Sequence, residues 1–71
     1  MQFEVWARGR ESKKYKHVDT FLNENEKFYK LDCVNREVYS EAMIVKTEWQ
    51  QQPSVIMFVE FPKSKELKKA K

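Results

Sequence analysis

Cys33 is the only cysteine in a chain of 71 residues. A body of that size buries only ~60% of its unfolded surface and usually needs a disulfide, a metal or a partner subunit. One thiol closes no disulfide within the chain, and it fits a reducing, cytoplasmic setting. Zinc is equally ill served, because His17 and Cys33 are the only soft ligands and a structural site takes four. No cofactor is expected. Stability has to come from the aromatic residues, 14% of the chain, or from oligomerisation.

Gly9 is the only glycine. Phosphate-cradling loops and dinucleotide fingerprints need several glycines for close backbone approach, so neither is present. Tight primed hairpins also favour glycine, so connections are expected to be longer or to use Asn and Pro. No apolar run approaches the roughly 20 residues of a membrane span, and no membrane partner is expected. The opening Met-Gln-Phe-Glu-Val-Trp carries an acid and no small-residue cleavage site, so no signal peptide is expected.

Residues 2–8 alternate, with Phe3, Val5 and Ala7 on one face and Gln2, Glu4, Trp6 and Arg8 on the other. That pattern predicts a half-buried strand. Residues 15–22 predict a second strand, with Val18, Thr20 and Leu22 opposite Tyr15, His17, Asp19 and Phe21. A hairpin is the economical connection between them.

Residues 23–38 admit two readings. Asn23 is a good N-cap with Glu26 three residues on, and Phe28, Leu31, Val34 and Val38 make one helical stripe. Alternatively Tyr29, Leu31 and Cys33 alternate with polar neighbours as in a strand. The capping signals favour a helix within about residues 24–37.

Residues 39–49 predict a third strand, and Gln50 to Ser54 a polar break. Val55 to Phe61 is apolar on both faces, which predicts a central, well-covered strand stopped by Pro62. The order strand, strand, helix, strand, strand implies an α+β domain over residues 1–62. It is a four-stranded antiparallel sheet with one helix on one face, with an all-β fold as the fallback. Residues 63–71 are expected to form a basic flexible tail.

One short helix covers one face of such a sheet. The other face should hold Trp6, Met43 and Trp49, an apolar set that monomers rarely expose without a use. Interface hot spots favour Trp. The leading expectation is therefore a non-enzymatic interaction protein that binds itself or a larger protein through Trp6, Trp49 and Met43.

The charge distribution suggests the alternative. Residues 8–16 carry Arg8, Arg10, Lys13, Lys14 and Lys16 against Glu11, and residues 63–71 carry five lysines against Glu66. Each segment has a net charge of +4, while residues 17–62 carry −4. Arg8, Arg10, Lys13, Lys14 and Lys16, flanked by Trp6 and Tyr15, make a candidate nucleic-acid contact in which cations hold phosphates and aromatics stack bases. The glycine-aromatic run of RNA-recognition domains is absent. The chain has the general look of accessory proteins from phages or mobile elements, an impression of style that no motif carries.

Catalysis is not expected. A Cys33–His17–Asp19 triad is conceivable only if the fold brings the three together. Glu37 and Glu41 are the kind of carboxylate pair that an acid-rich chain produces by chance. One helix and four strands also enclose a small-molecule pocket with difficulty.

Overall fold

The computed structural model describes residues 1–62. They form an α+β domain of four strands and one short helix: β1 (Gln2–Gly9), β2 (Tyr15–Phe21), a 3₁₀ turn (Glu24–Glu26), α1 (Lys27–Asp32), β3 (Tyr39–Thr47) and β4 (Ser54–Glu60). The strands make one sheet in the order β2-β1-β3-β4, and every neighbouring pair is antiparallel. Two hairpins, β1–β2 and β3–β4, therefore join along β1 and β3. The expected tail, residues 63–71, lies outside the described residues.

The core sits between the sheet and α1. Alternation in β1 sends Phe3, Val5 and Ala7 inward, and β3 supplies Ala42 and Ile44 directly opposite Ala7 and Val5. Phe21 pairs with Phe3 and stacks on it, with ring centroids 5.3 Å apart. Leu31, Val34 and Phe61 complete the cluster. Burial at ~25 cal/mol per Å² of apolar surface makes this layer the main source of stability.

The helix is shorter than the 24–37 window. Asn23 caps as expected, its Oδ1 accepting from the Asn25 N–H at 2.9 Å. At the other end Asn35 competes for backbone donors: its Oδ1 accepts from the Glu37 N–H and its carbonyl from the Val38 and Tyr39 N–H groups. That turn replaces a further helical turn. Only Leu31 and Val34 of the predicted stripe are buried, while Phe28 and Val38 are exposed.

Three other details depart from the alternation. β4 is an edge strand, not a central one, because β1 pairs with β3 and leaves β4 with a single neighbour. The strand predicted to reach Trp49 stops at Thr47, and Trp49 lies in the connection to β4. In β2 the register with β1 shifts, so that Asp19 opposes Val5 but His17 opposes Trp6. Val18 is the extra residue of this bulge, and His17 and Asp19 end on opposite faces.

The connections manage without a glycine turn. After β1, the Ser12 N–H bonds the Gly9 carbonyl and Ser12 Oγ accepts from the Lys14 N–H. After β3, Gln50 takes the left-handed conformation at φ 61°, and the Gln51 N–H bonds the Glu48 carbonyl.

Candidate interaction face

The sheet face away from α1 is organised in rows that cross the strands. Pairing places His17, Trp6, Met43 and Phe58 side by side, one from each strand. A second row holds Tyr15, Arg8, Glu41 and Glu60, and a third Thr20, Glu4, Val45 and Val55. The aromatic row is thus bordered on both sides by rows that contain carboxylates.

Trp6 is held in place from two directions. Its indole Nε1–H donates to Glu4 Oε1 at 2.8 Å, and the Gln2 amide donates to the other Glu4 oxygen at 3.0 Å. The His17 ring packs edge-on against the indole at 5.5 Å between centroids, and His17 Nε2 lies 2.6 Å from Thr20 Oγ1. Trp6 and Met43 remain half-buried, while Val55 and Phe58 are 58% and 53% exposed. An aromatic row left at that exposure, with no layer above it among the described residues, is a surface suited to a partner.

The neighbouring row is an electrostatic clamp. Arg8 Nε stands 3.1 Å from Glu41 Oε2, and its terminal nitrogen donates to the Ser12 carbonyl at 2.7 Å. The Tyr15 hydroxyl donates to the same Glu41 carboxylate. The Arg8 and Tyr15 bonds together hold the Glu41 carboxyl below its ordinary range, Arg8 contributing more. Burial, reinforced by the Glu41 carboxylate, pushes the Tyr15 hydroxyl up to about 12.

Of the three residues expected to share this face, Trp6 and Met43 are directly opposed across β1 and β3. Trp49 is not on the sheet. It is 84% exposed in the β3–β4 connection and lines a shallow recess with Met1, Gln2, Thr47 and Glu48, at the end of the same face. Phe58 and Val55 were missed as face residues, because a run apolar on both sides reads as a covered strand. For Phe58 alternation parity was the available signal, shared with Glu60 and opposite to Met57 and Val59; Val55 has the other parity and reaches the face through a register shift that leaves Ile56 as the extra residue.

The basic segment does not form one surface. Arg8 belongs to the clamp. Arg10 ties the chain together at the end of the sheet, donating to the Arg36 carbonyl at 2.6 Å and the Phe61 carbonyl at 2.8 Å, and it lines a recess with Arg8, Glu41 and Glu60. Lys16 opposes Ala7, on the helix side, with Nζ 5.4 Å from the Tyr39 ring centroid. Only Lys13 and Lys14 stand exposed together at the tip of the β1–β2 connection.

The conceivable triad is dispersed. Asp19 faces the helix and pairs with Lys30 at 3.0 Å, which holds the Asp19 carboxyl below its ordinary range. His17 is on the opposite face, and Cys33 is exposed at the end of α1. Glu41 is engaged in the clamp, whereas Glu37 is exposed in the turn before β3. No three of His, Cys, Asp and Glu converge as a metal site among the described residues, and none of their helices is long and apolar enough to cross a membrane.

Comparison with known proteins yields no match: no family model, no curated protein and no solved structure aligns with this chain.

Proposed function

We propose that the chain is a small non-enzymatic interaction protein of the reducing cytoplasm, and that its interface is the sheet face opposite α1. One observation carries the reading: Trp6, Met43 and Phe58 stand in register across three strands, and none of the described elements forms a layer above them. Trp residues dominate binding energy where they reach the centre of an interface. Trp49 adds an anchor at the end of the face, and Gln2, Glu4 and Thr47 form part of its polar rim.

The nucleic-acid alternative has weaker support. Its five cations divide between the clamp, a structural tie, the helix side and a loop tip, so a phosphate backbone would meet two of them at a time. A binder of that kind loses affinity steeply with salt, whereas an apolar interface does not.

The test is affinity capture from the encoding cell at 0.5 M salt, run with the wild-type chain and with Trp6→Ala, Met43→Ala and Trp49→Ala. Melting curves establish that each variant folds. The reading expects capture that survives the salt and is lost in Trp6→Ala, with sedimentation reporting whether the captured species is a second copy. Capture indifferent to all three variants refutes it. Tight oligonucleotide binding at physiological salt, abolished by neutralising Arg8, Arg10, Lys13 and Lys14, establishes the alternative.

A further inference from the structure

The face is acidic as well as aromatic. Its rows carry Glu4, Glu41 and Glu60 against Arg8, and Arg10, bonded to the Arg36 and Phe61 carbonyls, lines the recess at the end of the face with Arg8, Glu41 and Glu60, which leaves a net charge of −1 with His17 neutral. Arg8 is already committed to Glu41. Among the described residues neither Glu4 nor Glu60 has a cation within ion-pairing distance. Glu4 is nevertheless fixed in space by the Trp6 and Gln2 donors. These two carboxylates lie on opposite sides of the Trp6–Met43–Phe58 row. They are separated by four residues along the strands, ~13 Å, and two strands across, ~10 Å. One cation cannot serve both.

Resting on the interface reading above, we propose that the occupant of this face is a polypeptide segment of another protein that alternates apolar side chains with Lys or Arg. Its apolar groups would cover Trp6, Met43 and Phe58, and two of its cations would meet Glu4 and Glu60. Desolvation by the apolar contact strengthens both charge pairs. A second copy of the chain is disfavoured on the same grounds. Two such faces brought together would assemble six carboxylates with four guanidinium groups, all four already bonded within their own chains, and the excess of like charge across an interface selects against that partner.

The test is an NMR titration of the full chain with three capped octapeptides in which leucine alternates with lysine, glutamate or serine. The Trp6 indole N–H and the Met43 methyl are the reporters. The proposal expects the lysine peptide to bind at least tenfold more tightly than the serine peptide at 0.05 M salt, and the glutamate peptide not to move the reporters. The double variant Glu4→Gln/Glu60→Gln should erase the lysine-over-serine preference while keeping the leucine contacts, and Trp6→Ala should weaken both peptides. Equal binding of the lysine and serine peptides to wild type overturns the proposal but leaves the interface reading standing. Reporters silent to every peptide overturn the proposal, and the capture experiment then judges the interface reading separately. Reporters that shift with protein concentration alone assign the face to a second copy. Contacts from residues 63–71 to Trp6 in dilute protein assign it to the chain's own basic end. Either of these last results overturns the proposal.

Discussion

Arg8 and Glu41 face each other across the two central strands, Nε to Oε2 at 3.1 Å, and Tyr15 from the edge strand β2 closes on the same carboxylate. The Glu41 carboxyl is held below its ordinary range by those two bonds. A depressed carboxyl pKa stabilises the fold above the unfolded value, and that stability disappears as pH falls through the folded value. Asp19, depressed by Lys30, adds to the same limb. Glu41→Gln should therefore lower the melting temperature at pH 7 and bring it closer to wild type towards pH 2. Melting curves from pH 7 to pH 2 check this.

Tyr15 predicts the opposite limb. Its hydroxyl is raised to about 12 by burial and by Glu41. A raised tyrosine pKa leaves its stabilising contribution intact below about pH 10, the ordinary value. The contribution is lost as pH climbs towards 12. Ultraviolet titration of tyrosinate should show one group ionising near pH 12 that is absent from Tyr15→Phe. The same variant should also flatten the alkaline loss of stability.

Arg10 and the loop lysines should behave differently although all are basic. Arg10 bridges the Arg36 and Phe61 carbonyls, and the Arg36 guanidinium lies over the Phe61 ring at 4.8 Å. Arg10→Ala should cost about 1–3 kcal/mol, the loss of charge-assisted hydrogen bonds. At this size that lowers the melting temperature by roughly 4–8 °C for each kcal/mol. Lys13→Ala and Lys14→Ala should stay within about 0.5 kcal/mol of wild type. Denaturant titration of the three variants distinguishes them.

The helical stripe predicts a graded series. Leu31 is 7% exposed and belongs to the core, so Leu31→Ala should cost about 2–5 kcal/mol. Phe28 is 64% exposed, and Phe28→Ala should cost less than about 1 kcal/mol. Equal losses by thermal unfolding would show that Phe28 is packed in solution.

Trp49→Ala should leave the melting temperature within about 3 °C of wild type, because the side chain is 84% exposed. Any effect it has should therefore appear in binding, which separates it from a core aromatic such as Phe3, 1% exposed.

How much of this was legible depended on whether the signal was local. The β1 alternation and the two hairpins are local, and so is the Asn23 cap. The position of β4 is not local: Val55 to Phe61 is apolar on both sides, and central strands have that pattern too. Here Met57 and Val59 pack on the core while Val55 and Phe58 extend the open face. The Val18 bulge is equally hidden, since counting by twos assumes an unbroken ladder. It separates His17 from Asp19 and sends one to Trp6 and the other to Lys30. The cations of residues 8–16 look like one patch in the sequence because neighbours in the chain are close. On a strand and its turn they point in different directions.

The strand order also sets a timetable. The core needs Val5 beside Ile44 and Ala7 beside Ala42, and Arg8 meets Glu41 at a sequence separation of 33. Each hairpin can close locally, but neither encloses an interior by itself. The step that creates one is the docking of the first hairpin on the second, and that requires a large loop to close before apolar contacts between the hairpins reward it. Refolding should be a single slow event on the scale of small β-rich domains, and β1, which precedes the other strands of the sheet, has no central partner until β3 has followed it.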